Sequence, residues 1–229
     1  MIRRRTGRAF ARITPVVLIF STLSALSITL SASAAGSTQP TITQAIDQVA
    51  VKGRAPKTGY SRSQFGQTWA DVNRNGCDTR NDILKRDLVS IVFKVGTHEC
   101  LVLSGVLHDP YSGTDINFVR GQTTSSLVQI DHIVALSNAW QTGAFQLTLI
   151  QRTALANDPL NLFAVKGSLN SQKGDGDAAT WLPPQKSFRC EYVAHQVAVK
   201  HKYGLWFTKP EKEAILRVLG SCPNQELPK

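Results

Sequence analysis

The chain has 229 residues, 42% of them hydrophobic, and a formal charge of +10. Its length and apolar content suit one globular domain with a core of its own and exclude two large domains. The first dozen residues hold five arginines, and without them the 26 basic side chains fall to 21 against 16 acidic ones. That mild excess permits attraction to a polyanion such as nucleic acid, but a solvated basic surface also explains it.

The N-terminal segment has the order of a secretory leader. An apolar run over residues 15–30 follows the basic start, and Ala32 and Ala34 then form an A-x-A pattern. This predicts a signal peptide over residues 1–35, cleaved near Ala34 or Ala35. The alternative is an uncleaved membrane anchor, because the run approaches the lower length limit of a spanning helix. We expect a secreted protein with no stable membrane association after cleavage.

The remaining chain predicts an arm and one α+β domain. Residues 36–58 are rich in Ser, Thr, Pro, Gly and Lys, which indicates a flexible N-terminal arm before a single domain over residues 59–229. Hydrophobic periodicity and turn residues predict these elements in chain order: a helix over 78–87, a hairpin of strands over 88–95 and 100–109, a short strand before 118, a strand ending at Asp131, helices over 136–143 and 147–158, a strand over 160–165, and helices starting near 168, 190 and 209. The hairpin layer comes first and the helices follow it.

The four cysteines all lie in the exported part: Cys77, Cys100, Cys190 and Cys222. An even number of cysteines in an oxidising compartment predicts two disulfides. Three pairings are possible, and the chain order favours Cys77 with Cys100 and Cys190 with Cys222, because each pair brackets one local unit. A zinc site is the rival interpretation, but no C-x-x-C spacing supports it, so no structural zinc is expected.

The strand that ends in Asp131 and His132 carries the main candidate for chemistry. Two segments follow it, "NDPLNLFAV" and "GSLNSQKGD", and they supply Asn161, Asn170 and Lys173. Hydrolysis of a phosphodiester needs a base for the attacking water and positive charge near the phosphate oxygens. A histidine is neutral near pH 7 and suits the base, while Asp131 and Asn170 offer the oxygen ligands that a hard divalent ion takes. Successive strand residues point to opposite sides, so Asp131 and His132 can face different partners.

The motifs D-H-I-V-x-L, N-D-P-L-N-L-x-A-V and L-N-x-x-K-G-D strongly resemble the HNH endonuclease superfamily. The resemblance is closest to a secreted bacterial branch related to the nuclease domain of GmrSD-type modification-dependent restriction enzymes, and it covers most of the chain from Tyr60 to Cys222. It implies a ββα-metal (HNH) core between the N-terminal hairpin layer and the C-terminal helices. By position, it implies that His132 is the general base, that Asp131 and Asn170 are metal ligands, and that Asn161 holds the loop and orients the histidine.

One departure from the superfamily concerns the last ligand and the zinc knuckles. Many members have a histidine where this chain has Asn170, and many carry paired C-x-x-C knuckles that this chain lacks. Structural support must therefore come from the disulfides and from packing.

Each candidate residue also has a plainer interpretation. His132 could be a strand-end histidine satisfied by a backbone carbonyl, Asn161 could close a turn, and Asn170 could cap a helix. Three basic residues are candidate phosphate or substrate contacts, with a solvated surface as the alternative for each: Lys173, Arg152 and Arg189.

These observations predict a secreted, divalent-metal-dependent endonuclease that hydrolyses DNA, with RNA as a further substrate, at low sequence specificity. The expected ion is Mg²⁺, with Mn²⁺ as the alternative. Two other functions are open: a secreted binding module for nucleic acid or another polyanion that keeps an inactive HNH fold, and a nuclease toxin delivered to rival cells and inhibited by a cognate protein.

Overall fold

A computed structural model describes residues 40–229, so the predicted signal peptide lies outside the described residues. The α-helices in this range are α1 (Ile42–Gln48), α2 (Thr79–Asp87), α3 (Leu136–Gln141), α4 (Leu149–Ala156), α5 (Gly167–Lys173), α6 (Arg189–Lys202) and α7 (Lys209–Leu219). The strands are β1 (Leu88–Phe93), β2 (Val102–His108), β3 (Asp115–Val119), β4 (Val128–His132) and β5 (Leu162–Lys166). Among residues 40–229, no helix has both the length and the apolar character to cross a membrane.

The strands form two antiparallel sheets. One sheet has the order β1-β2-β3, and the other is the pair β4-β5. In the pair, Asp131 lies opposite Phe163 and His132 lies opposite Leu162. The mixed α+β class and the predicted order of elements are confirmed, including the strand end at Asp131 and His132.

Polar caps fix where several helices begin. Thr208 accepts a hydrogen bond from the backbone N–H of Glu211, and the Glu211 carboxylate accepts one from the Thr208 N–H. Thr148 and Gln151 make the same reciprocal pair at the start of α4. At α2, the Asp78 side chain accepts the N–H of Asn81. Each arrangement satisfies backbone donors that the first helical turn leaves unpaired.

The disulfide pairing is the one that the chain order favours. Cys77 is bonded to Cys100, which ties the loop before α2 to the turn between β1 and β2. Cys190 is bonded to Cys222, which ties the start of α6 to the chain after α7.

Apolar packing joins the two sheets through α2. Ile83 and Leu84 of α2 are buried in one cluster with Phe118 of β3, Ile130 of β4 and Leu162 of β5. This cluster fixes the position of the β4-β5 pair, and hence of the strand end that carries His132.

The segment predicted as a flexible arm differs from the prediction over residues 40–58. Ala45, Ile46 and Val49 of the α1 segment are buried in a core shared with α6 and α7. The backbone N–H of Lys52 donates to the carbonyl oxygen of Phe207 at 2.9 Å. The structure differs here because the segment contains one short amphipathic stretch, "ITQAIDQVAV", whose apolar helix face is sufficient to bury it once its distant partners are present. The packed unit therefore begins before residue 59.

Candidate functional site

The candidate site is built on β4, β5 and α5. The helix α5 follows β5 without a loop and packs against both strands. Gly167, its first residue, permits a close approach to the turn just before β4, since a Cβ at that position would lie 2.0 Å from the carbonyl oxygen of Ser126. Glycine is therefore required there for a close contact between backbones.

Asp131 and His132 face different partners, as the strand alternation predicts. The Asp131 side chain contacts Tyr111 and Lys173. The His132 side chain instead contacts the Ala156 carbonyl and stacks near Trp69, with ring centroids 6.0 Å apart and an interplanar angle of 13°. The two adjacent residues thus serve separate environments.

The hydrogen bond of His132 defines its tautomer. The Nε2 atom lies 2.9 Å from the carbonyl oxygen of Ala156. A carbonyl can only accept, so Nε2 carries the hydrogen and the Nδ1 atom of the neutral ring carries a free lone pair. The plainer interpretation of His132 is therefore half correct: one ring nitrogen is satisfied by a backbone carbonyl, and the other remains available as an acceptor.

Burial keeps His132 neutral. The side chain is 7% exposed. The pKa of His132 is lowered from 6.5 to about 4, mainly by burial and to a smaller extent by the positive charges of Arg62 and Lys173, while the bond to Ala156 opposes the change. At neutral pH the imidazole is therefore unprotonated and able to accept a proton.

Asn161 holds the chain that follows His132. It is fully buried, and its Oδ1 accepts the backbone N–H of Val134 at 2.8 Å. Its Nδ2 donates to the carbonyls of Val134 and Leu155, and its own carbonyl accepts the N–H of Ile133. These contacts connect the segment after His132 to the end of α4, where the partner carbonyl of the imidazole lies.

A buried polar cluster surrounds Asp131. The Tyr111 hydroxyl donates to Oδ2 at 2.5 Å, and the Lys173 ammonium donates to Oδ1 at 3.0 Å. Lys173 also donates to the carbonyl oxygen of His132 at 2.8 Å. Burial raises the pKa of Tyr111 well above its usual value, so the phenol stays protonated and donates. The carboxylate is thus neutralised by an ammonium that is itself fully buried.

This arrangement does not fit a divalent ion at Asp131 as it stands. The position beside the carboxylate that a cation needs holds the Lys173 ammonium. The side-chain amide of Asn170 donates its N–H to the Gln129 side-chain oxygen at 2.8 Å, and it makes no hydrogen bond to Asp131. Between residues 40 and 229, no group of three or more His, Cys, Asp or Glu side chains is placed to hold a metal ion. Ligation by Asp131 and Asn170 therefore requires Lys173 to move.

The three predicted phosphate contacts are used for other purposes. Lys173 is buried with Asp131 and cannot meet a substrate phosphate in this structure. The Arg152 guanidinium donates to the carbonyls of Gln64 and Leu147, and Arg189 donates to the carbonyl of Pro183. A backbone carbonyl has no residue-type signature, so the sequence offered no sign of these partners.

A cleft lies on the His132 side of the strand. One wall comes from the segment 62–69, which includes Arg62 and Trp69, and the other is formed by His132, Leu136, Ala156 and Asn157. Its cavity volume is about 30 Å³, and about 10–15 Å³ of such space is needed for one water molecule. The cleft can thus hold about two waters beside the imidazole. Neither Asp131 nor Asn170 is among its lining residues.

Sequence reasoning missed four residues of these two environments: Tyr111, Trp69, Arg62 and Asn157. Trp69 and Tyr111 stand in the segments "FGQTWADVNRNGCDTRNDILKRDL" and "SGVLHDPYSGT", and Asn157 opens "NDPLNLFAV". Trp69 also has a positive φ of 57°, which is common for glycine but uncommon for a bulky residue. No periodicity or spacing in the sequence links these segments to His132.

The α+β fold, the two disulfides and a buried histidine at a strand-end cleft define a disulfide-bonded α+β domain with a water-sized cleft. Residues 78–218 match the family described as GmrSD restriction endonucleases, C-terminal domain, and the chain belongs to that family. The predicted relationship is therefore confirmed.

One curated relative extends the comparison. It is an "Uncharacterized secreted protein" of Arthroderma benhamiae, 37% identical over 174 residues, which span 75% of this chain and 80% of the relative. The predicted secreted location is confirmed by this relative, and the two disulfides agree with it. No solved structure matches the chain.

Proposed function

We propose that the protein is a secreted endonuclease that hydrolyses the phosphodiester bonds of DNA, with RNA as an alternative substrate, at low sequence specificity. The observation that carries the proposal is the state of His132: its Nε2–H is held by the Ala156 carbonyl, its Nδ1 lone pair is left as an acceptor, and the residue lines a water-sized space. Membership of a restriction endonuclease family supports the same class of reaction.

In this proposal, His132 Nδ1 takes a proton from a water molecule, which then attacks the phosphorus atom. The imidazole begins neutral because its pKa is about 4. Such a low pKa makes a weak base, but a phosphodiester bound nearby brings negative charge that favours the imidazolium. Substrate binding is therefore expected to strengthen the base at the time when it is needed.

Positive charge at the cleft comes from Arg62. This residue is exposed and lines the cleft that contains His132. We propose it as a contact for a substrate phosphate in place of Lys173, Arg152 and Arg189, because an arginine can bind two phosphate oxygens at once.

We further propose that β4, β5 and α5 form the ββα-metal unit of an HNH nuclease, in which Asn161 fixes the loop after His132. We propose Mg²⁺ as the ion, with Mn²⁺ as the alternative and with Asp131 and Asn170 as its ligands. When bound, such an ion would neutralise charge on the phosphate. Binding of the ion requires Lys173 to move away from Asp131. The proton transfer to His132 and the phosphate contact of Arg62 do not depend on the ion.

The test is nicking of supercoiled plasmid by the purified secreted protein, with Mg²⁺, with Mn²⁺ and with chelator. His132→Ala should lose at least about 100-fold of the rate, a typical contribution of a general base. His195→Ala is the matched control, because the His195 Nδ1 also bonds a backbone carbonyl, that of Leu160, and burial also lowers its pKa. Circular dichroism checks that both variants fold.

The outcomes separate the alternatives. Cleavage that survives in His132→Ala contradicts the assignment of the base. Salt-sensitive binding of DNA and RNA without cleavage by the wild type indicates the binding module instead. Cleavage that a cognate neighbouring protein inhibits indicates the toxin role. Cleavage that chelator does not reduce contradicts the metal proposal but leaves the base intact.

A further inference from the structure

Asn157 has a buried acceptor with no partner in the His132 cleft. The residue follows Ala156 at the end of α4, is 1% exposed and lines the cleft. Its Nδ2 donates to the carbonyl oxygen of Thr153 at 2.9 Å, while its Oδ1 has no hydrogen-bond partner. A buried acceptor without a partner costs free energy, and native proteins leave few of them unless a ligand or water satisfies them.

The same cleft contains a second acceptor. The Ala156 carbonyl holds Nε2–H of His132, so the Nδ1 atom of the neutral ring can only accept. The space between the walls has a volume of about 30 Å³, enough for about two waters. A water molecule has two O–H donors, and two residues that line this cleft, His132 and Asn157, each have an acceptor without a partner, Nδ1 and Oδ1.

We propose that Asn157 Oδ1 is the second acceptor for the attacking water in the His132 cleft, an inference that rests on the proposed nuclease function. When the water donates one hydrogen bond to Nδ1 and the other to Oδ1, its oxygen lone pairs are directed away from both residues and toward a phosphate at the cleft mouth. Orienting the nucleophile in this way removes rotational freedom before the reaction.

The water oxygen forms a bond to phosphorus, and its proton passes to His132 Nδ1. The bond from phosphorus to the leaving sugar oxygen breaks, and that oxygen keeps the electron pair and takes a proton from solvent. The hydrogen that the water donates to Asn157 Oδ1 remains bonded to the attacking oxygen. A neutral amide suits this position, since a carboxylate would add repulsion toward the phosphate.

Asn138 provides a matched control. It is 2% exposed, and neither its Oδ1 nor its Nδ2 has a hydrogen-bond partner, but it is not among the residues that line the cleft. Both asparagines carry the same kind of unsatisfied group, and only Asn157 carries it beside His132.

The experiment compares Asn157→Leu with Asn138→Leu by steady-state cleavage of a fluorogenic DNA oligonucleotide and by thermal unfolding. We expect Asn157→Leu to lower kcat by at least 10-fold with little change in KM, and Asn157→Ser, which restores an oxygen, to recover part of the loss. Asn138→Leu should keep the wild-type kcat. The inference is overturned by a folded Asn157→Leu with wild-type kcat, or by an equal loss of kcat in both leucine variants.

A high-resolution crystal structure of the wild type separates this inference from the proposed function. A water within hydrogen-bond distance of both His132 Nδ1 and Asn157 Oδ1 supports the site. Its absence overturns the inference whatever the assay gives. If the wild type cleaves neither DNA nor RNA, the proposed function fails, and the role of Asn157 in hydrolysis is overturned with it, while the crystal structure still decides whether the water site exists.

Discussion

The Nε2 atom of His132 and the carbonyl oxygen of Ala156 lie 2.9 Å apart, which joins the end of β4 to the end of α4. This one contact sets the protonation site of the imidazole, because the carbonyl can accept only from an N–H. Asn157, the next residue along the chain, lines the same cleft as His132. The reactive atom and its surroundings are thus arranged by two helix-end residues and one strand-end residue.

Acid should destabilise the protein through His132. The pKa of His132 in the folded state is about 4 against 6.5 in the unfolded chain. Between these values the unfolded state binds more protons, so the free energy of unfolding falls as the pH falls from about 6.5 to about 4. The full effect is about 3 kcal/mol at most, at about 1.4 kcal/mol for each tenfold change in proton affinity.

The measurement is urea unfolding at several pH values for the wild type and for His132→Gln, which retains an N–H donor for the Ala156 carbonyl. The difference in unfolding free energy between the two proteins should shrink as the pH falls through this range. A difference that stays constant would show that His132 does not titrate in this way.

Loss of the Lys173 ammonium should be costly. Lys173→Met leaves the Asp131 carboxylate buried without its cation, and removing one partner of a buried pair typically costs about 3–5 kcal/mol. The exposed pair Lys85–Glu99 has a similar separation of 2.8 Å, and Lys85→Met should cost far less, because solvent screens the attraction between exposed charges.

Chemical denaturation of both variants provides the comparison. The double variant Asp131→Asn with Lys173→Met should be less destabilised than the sum of its two single changes, because no unpaired charge remains. Equal costs for Lys173→Met and Lys85→Met would contradict the buried pair.

A methyl group at Gly167 should disturb the seat of α5. Alanine normally favours a helix over glycine, but a Cβ here would lie 2.0 Å from the Ser126 carbonyl oxygen. We expect Gly167→Ala to lower the free energy of unfolding by about 1–3 kcal/mol, the usual cost of overpacking. Gly53→Ala is the control, because nothing lies within 4 Å of its Cβ position. A gain of stability in Gly167→Ala would show that α5 does not approach the Ser126 carbonyl so closely.

Each disulfide should stabilise the fold by a similar amount. The bonded cysteines are 23 and 32 residues apart in sequence, and loops of these lengths correspond to about 3–4 kcal/mol in the chain-entropy description. Replacing either pair by serines should lower the melting temperature, and reduction of the wild type should lower it further. An unchanged melting temperature after full reduction would contradict a structural role for both bonds.

The sequence predicted the elements well because each depends on neighbouring residues. The apolar run before Asp131, the proline after Asp158 and Gly174 after α5 are local signals, and the structure has strand and helix ends at or next to these positions. The disulfide pairing followed from chain order for a similar reason, because each bond closes a local unit.

The surroundings of the candidate site could not be predicted in the same way. Tyr111 is 20 residues from Asp131 in the sequence, and Lys173 is 42 residues from it. Contacts between residues so far apart produce no periodic pattern in the sequence. Whether a lysine binds a phosphate or an internal carboxylate depends on burial, which is a property of the assembled layers. The same holds for α1, whose few apolar residues become a core face only against α6 and α7.

The contact between the α1 segment and the C-terminal helices has a consequence for the order of events during export. The Trp206 indole N–H donates to the carbonyl oxygen of Gly53, 153 residues earlier in the chain. A chain that emerges from its N-terminus presents α1 long before α6 and α7 have been synthesised. This core therefore cannot close before nearly the whole chain has emerged.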